Sequence, residues 1–142
     1  MGLCEMLAKL LIDFGLVILI WMTQLVVYPS FTHFGKDELL GWHQKYTTAI
    51  SVIVMPLMLG QVVLHGFFLY VDFDAIKLIA GVLIGLTWVN TFLFAVPLHN
   101  KISFGQEVIQ SARALIKINW VRTFLWSAVF LLTLFDYLRS QG

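Results

Sequence analysis

The sequence predicts an all-α membrane fold, a four-transmembrane-helix bundle in which residues 1–142 form a single domain, with a short amphipathic interfacial helix between the third and fourth spans. Three observations predict it. First, the chain is 60% hydrophobic and 12% charged, where soluble domains carry roughly 25% charged residues, and its mean hydropathy is +0.89. A soluble domain this small leaves too much of its surface in water to hide that much apolar area, so lipid must be the solvent for most of it. Second, the stretches 9–28, 45–70, 76–97 and 119–138 each supply the run of about 20 apolar residues that a span needs. Third, polar, turn-rich pieces separate them: "PSFTHFGKDELLGWHQ", "YVDFDAIK" and "HNKISFGQEVIQSARALIKI".

The elements follow in order. The opening "MGLCEMLAKLLIDFGLVILIWM" has no strongly basic n-region, and its apolar run is too long for a secretory leader, so it reads as a retained span. Met6 stands where myristoylation wants Ser or Thr. Cys4 is the single cysteine, which excludes an intramolecular disulfide and any cysteine-based metal cluster. In the second span Pro56 falls mid-run, where it should kink the helix rather than end it. The middle connection is very short, so the second and third helices should pair as an antiparallel hairpin. After the third span, Phe104, Val108, Ile109, Ala112, Leu115 and Ile116 share one helical face, while Gln106, Glu107, Gln110, Arg113 and Lys117 lie elsewhere. That pattern suits a short helix lying along the membrane interface.

Lys36, Lys45, Lys101, Arg113, Lys117 and Arg122 belong to the first and third connections with their helix ends. Lys9, Lys77 and Arg139 belong to the termini and the middle connection. This bias places the first and third connections in the cytoplasm and both termini on the outer side. A net charge of +1 argues against nucleic acid as a partner, because that demands a concentrated basic face.

Ionisable and amide side chains inside a membrane are expensive, so their positions carry the functional information. On the second helix His43 and His65 share a face, with Thr47 and Gln61 close to it. At 1.5 Å per residue they stand about 33 Å apart, at opposite membrane faces. On the first helix Asp13 and Gln24 are spaced by 11, with Tyr28 near the same face. Because the first and third helices end where the second and fourth begin, one membrane face should collect Gln24, Tyr28, His43, Tyr46, Thr47, Asn90, His99, Asn100, Asn119 and Arg122. His33, Trp42 and Trp120 join them at the boundary, and Trp126 shares the Asn119 and Arg122 face. A smaller group at the opposite face holds Asp13, Gln61 and His65, read as a buried structural pair of Asp13 with His65. Belts of Trp and Tyr, snorkelling Arg and interfacial His each have an ordinary anchoring explanation. The convergence of so many polar groups from four helices exceeds what anchoring needs, and points to a pocket open to one face.

Two chemistries fit that pocket. His33, His43 and His99 are candidate ligands for iron or copper, and His43 with His99 could hold a haem axially, although no HxxxH or HExxH spacing occurs. Alternatively, with no cofactor, His99 or His43 acts as general base, while Asn90, Asn119 and Arg122 stabilise the developing oxyanion. Asn100 completes the catalytic candidates. Gln24, Tyr28, Tyr46, Thr47, Asn90, Asn119, Trp120 and Trp126 are the candidate substrate-binding set. There is no nucleophile elbow, phosphate loop or paired catalytic carboxylates.

The layout "VPLHNKI" at the third helix exit, an amphipathic segment, and "LIKINWVRTFLW" opening the fourth helix resembles the anthrone oxygenase-like four-helix membrane proteins, mainly over the last third of the chain. The resemblance implies a cofactor-independent oxygenase acting on polycyclic phenols, or one of its many uncharacterised bacterial relatives, with a bacterial inner-membrane location expected, and carries Pro97, Asn100, Trp120 and Arg122 as motif positions. The function expected is therefore an oxygenase- or oxidoreductase-like activity on a lipophilic aromatic or quinone-type molecule drawn from membrane lipid. The alternative is a non-catalytic haem-, metal- or quinone-binding or structural subunit, in a homo-oligomer or a larger membrane complex. Gly81 and Gly85, one GxxxG pair, favour the latter.

Overall fold

The computed structural model describes residues 2–141. Every regular element among them is helical. Four helices are long and apolar enough to cross a membrane: Cys4–His33, Lys36–Val71, Ala75–Ser103 and Val108–Ser140. Each runs beyond the span read from hydropathy, because the polar flanks extend the helices rather than unravel them.

The connections are short and capped. At the start of the second helix the Gly35 N–H donates to Glu38 Oε2 at 3.3 Å. Asp74 caps the third helix, its carboxylate accepting from the Ile76 N–H at 2.7 Å, which satisfies one of the donors orphaned at a helix start. Gly105, at φ +69°, terminates the third helix in a left-handed conformation that suits glycine. The second helix continues through Pro56 to Val71.

Lipid-facing and interior positions invert the pattern of a soluble bundle. Leu11, Ile18, Leu25, Val52, Val63, Val82, Leu93, Phe124 and Leu131 are exposed, whereas Asp13, Gln24, His43, Gln61, His65, Asn119 and Arg122 are buried. Two apolar clusters separate the polar groups. Leu16, Ile20, Met58 and Trp126 pack in mid-bundle. Tyr28, Phe31, Leu39, Ala95, Ile102, Val108, Ala112 and Leu115 pack towards the first and third connections.

One expectation is corrected. The amphipathic segment after the third span is helical, but it is the opening of the fourth helix, which runs unbroken over Val108–Gln141. No glycine or proline occurs from 106 to 141 to break it. The buried positions Val108, Ala112, Leu115, Asn119, Arg122, Trp126, Val129 and Thr133 form one continuous stripe at spacings of three and four. Phe104 and Ile109 fall off this stripe and are exposed.

The first and third helices share a device. Each carries a π turn, Thr23–Val27 and Thr91–Ala95, followed two residues later by a proline, Pro29 or Pro97. In both, the N–H of the residue before proline, Tyr28 or Val96, donates to the carbonyl of the threonine five residues back. Proline supplies no N–H and its ring crowds the carbonyl four residues earlier, so widening the preceding turn relieves the clash without ending the helix. The extra residue in each turn rotates the segment beyond it, and the side chains that follow are Tyr28 and His99. Such π turns recur at functional sites.

Candidate functional site

A cavity of about 260 Å³ lies among all four helices. The first helix contributes Thr23 and Tyr28, and the second Tyr46, Thr47, Val54 and Met58. His99 and Asn100 come from the third helix, Arg122 and Trp126 from the fourth. Its buried wall is formed by Thr23, Tyr28, Met58, Ala95, Arg122 and Trp126. Ser51, Met55, Phe92 and Val96 also line it but are exposed. All four belong to the second or third helix, so the cavity opens sideways through the seam between them, towards lipid.

Along the polar wall runs a continuous hydrogen-bonded chain. Tyr28 Oη lies 3.0 Å from His99 Nε2, His99 Nδ1 lies 2.8 Å from His43 Nε2, and His43 Nδ1 lies 3.2 Å from Ser103 Oγ. Arg122 donates to Tyr28 Oη at 3.1 Å and also to Asn119 Oδ1. Asn119 Nδ2 in turn donates to Gln24 Oε1 at 2.9 Å, and Gln24 Nε2 donates to the Ile116 carbonyl at 3.2 Å. A guanidinium has only donors, so Tyr28 accepts from Arg122 and its own hydrogen is free for His99 Nε2. His99 then carries its proton on Nδ1 and donates to His43, which carries its own on Nδ1 and donates to Ser103. One direction satisfies every member.

Arg122 is the electrostatic centre. It is 8% exposed, and among the described residues no carboxylate stands within ion-pair distance of it. Its Nε has no hydrogen-bond partner among the described residues. An uncompensated guanidinium at membrane depth is costly, and an anion in the adjoining cavity would offset that cost.

The sequence-derived candidates separate accordingly. Tyr28, Tyr46, Thr47, His99, Arg122 and Trp126 line the cavity, and Asn100 sits exposed at its rim. His43 stands behind His99, fully buried. Gln24 and Asn119 do not line the cavity. Their amides are consumed in holding Arg122, so Asn119 is a positioning residue and not the oxyanion donor expected of it. Asn90 is buried beside the cavity but does not line it, and its Oδ1 has no partner among the described residues. Trp120 turns away from the site, stacked on Phe124 and edge-on to Trp21.

The metal expectation is also corrected. His33 is exposed at the end of the first helix, and among the described residues no group of three His, Cys, Asp or Glu side chains is placed to hold a metal ion. His43 and His99 are bonded directly to each other, ring centroids 5.0 Å apart, which leaves no gap for a haem between them.

Ser103 escaped the sequence reading. Its one signal was its position one helical turn after His99, which lets both side chains reach His43.

The opposite polar group forms as expected, with one addition. Asp13 accepts from Gln61 Nε2 at 2.7 Å, His65 Nε2 at 2.9 Å and Thr133 Oγ1 at 2.6 Å. Trp126 Nε1 donates to Gln61 Oε1 at 3.1 Å, which ties this cluster to the cavity wall. Thr133 carried no sequence signal.

Compared with known proteins, the chain matches no family model, no curated protein and no solved structure.

Proposed function

We propose that this protein is a small membrane oxidoreductase of oxygenase type, which takes a planar, lipophilic phenol or quinone-type molecule from the bilayer into the four-helix cavity. The observation that carries the reading is Arg122, a buried guanidinium without a counter-ion among the described residues, on the wall of a cavity that opens to lipid. A phenolate or enolate oxygen is the ligand chemistry that such a group recognises. His99, lining the same cavity and paired with the Tyr28 hydroxyl, is placed to accept the proton of an acidic O–H or C–H. Loss of that proton makes the substrate electron-rich, and dioxygen, an apolar solute of the bilayer, is the oxidant proposed: a ring CH₂ with O₂ gives a ring carbonyl and water. The apolar face of Val54, Met58 and Trp126 suits the flat body of the substrate. The resemblance to the anthrone oxygenase-like proteins supports the same reading. The resemblance favours a bacterial inner membrane, and the Lys and Arg bias favours an orientation with the first and third connections on the cytoplasmic side.

The experiment is oxygen uptake by purified protein in mild detergent with anthrone as substrate, comparing wild type with His99→Ala and Arg122→Met. Uptake that both variants abolish while remaining helical and monodisperse supports the reading. Wild-type uptake in His99→Ala overturns it. Binding of the phenol or quinone without uptake by the wild type would favour a non-catalytic binding subunit.

A further inference from the structure

We infer that Ser103, His43 and His99 form a one-sided proton wire, which connects the cavity to the aqueous phase at the face of the first and third connections and to no other. The inference rests on the cavity being the ligand site and adds where the proton goes. Among the described residues, only one unbroken line of groups able both to give and to take a proton leaves the cavity: Tyr28 Oη, His99, His43 and Ser103, at 3.0, 2.8 and 3.2 Å. Ser103 is exposed, whereas His43 between it and the cavity is wholly buried. The line therefore begins at the cavity wall, passes through the fully buried His43 and ends at the surface.

Towards the other face the polar path breaks. Its first link is the Trp126 indole N–H donating to Gln61, and an indole nitrogen donates but cannot accept. Leu19, Ile20, Val54 and Met58 fill the remainder of that end. The Asp13–His65 cluster is thus cut off from the cavity as a proton source.

The transfer balances one proton in against one proton out. A ligand proton arrives at His99 Nε2, directly or through Tyr28 Oη. The Nδ1 proton of His99 passes to His43 Nε2, and the Nδ1 proton of His43 passes through Ser103 Oγ to water. Each imidazole ends in the opposite tautomer, and the reverse passage of a proton restores both. Among the described residues, the charged group facing this line is Arg122, beside Tyr28, and the titratable ones are Tyr46 and the histidines themselves. No carboxylate is hydrogen-bonded to any member among the described residues.

The probe is 4-nitro-1-naphthol, whose absorbance reports its ionisation, bound to the full-length protein in liposomes sorted for orientation by a tag on the termini. After a rapid pH jump on the side opposite the termini, the bound probe should re-equilibrate quickly, and after a jump on the termini side slowly. His43→Phe should keep probe affinity within about twofold yet slow re-equilibration by about tenfold or more. His43→Gly should be equally slow and recover on adding imidazole. Wild-type rates in His43→Phe, no rescue of His43→Gly, or equal rates from the two sides would overturn the wire. If wild type does not bind the probe, the cavity reading fails separately. The wire is then tested on histidine-labelled protein by NMR, where hydrogen exchange of His99 Nδ1–H must slow in His43→Phe, and unchanged exchange overturns it.

Discussion

His43 Nε2 stands 2.8 Å from His99 Nδ1, although 56 residues separate them in the chain. The contact joins the second and third helices at the polar end of the cavity, and it decides which histidine meets ligand. His99 lines the cavity, and His43 acts through it.

His99→Ala should therefore lower oxygen uptake by about a hundredfold or more, the usual worth of a positioned base, with helix content unchanged by circular dichroism. His43→Ala should leave substrate affinity near wild type and reduce turnover. A matched loss of affinity in both variants would show that the pair is structural.

Arg122→Lys should not substitute. One Arg122 nitrogen donates to both Tyr28 and Asn119, and a lysine ammonium on a flexible stem cannot reproduce that fixed planar placement. Affinity for a phenolate-type ligand should fall by about tenfold, roughly 1.4 kcal/mol, as read by equilibrium titration.

Asp13→Asn should weaken the bundle. The carboxylate accepts three hydrogen bonds from the second and fourth helices, and an amide turns one of those oxygens into a donor facing donors. Breaking such a buried polar pair costs about 3 kcal/mol, readable as a lower midpoint in denaturing-detergent unfolding. Because Gln61 also holds the Trp126 indole, the same variant should loosen the cavity wall and weaken ligand binding modestly.

Pro97→Ala tests the π turn. Without the proline ring the turn at Thr91–Ala95 can revert to α-helix, which rotates His99 by roughly 100°. Helix content should hold while the His43–His99 hydrogen bond disappears from histidine NMR spectra, and turnover falls with it.

Asp74 supplies an acid-sensitive contact at the opposite face. The hydrogen bond from Arg139, and after it that of the Ile76 N–H, hold its carboxyl below the usual carboxylate range. A folded-state pKa below the unfolded one contributes stability that is present above about pH 4 and lost as pH falls through the folded value. Thermal unfolding of wild type and Asp74→Asn should thus differ at about pH 6 and converge under strong acid. A constant gap down to acid would remove Asp74 from this role.

Much of this was legible in the chain itself. The four spans follow from apolar length, and the spacing of Asp13 with Gln24 by 11 and of His43 with His65 by 22 assigns each polar side chain a face and a depth. Those two coordinates suffice to sort the polar residues into two groups at opposite ends and to pair Asp13 with His65. Periodicity fixes a side chain relative to its own helix axis, but it says nothing of how that helix is rotated against its neighbours. Tertiary structure alone decided that His43 meets His99 rather than His33, that Asn119 supports Arg122 instead of facing the cavity, and that Thr133 completes the Asp13 site. It also decided the two π turns, each of which shifts register by one residue and aims Tyr28 and His99. The continuity of the amphipathic segment with the fourth helix came from packing in the same way, since one buried stripe rewards one unbroken helix.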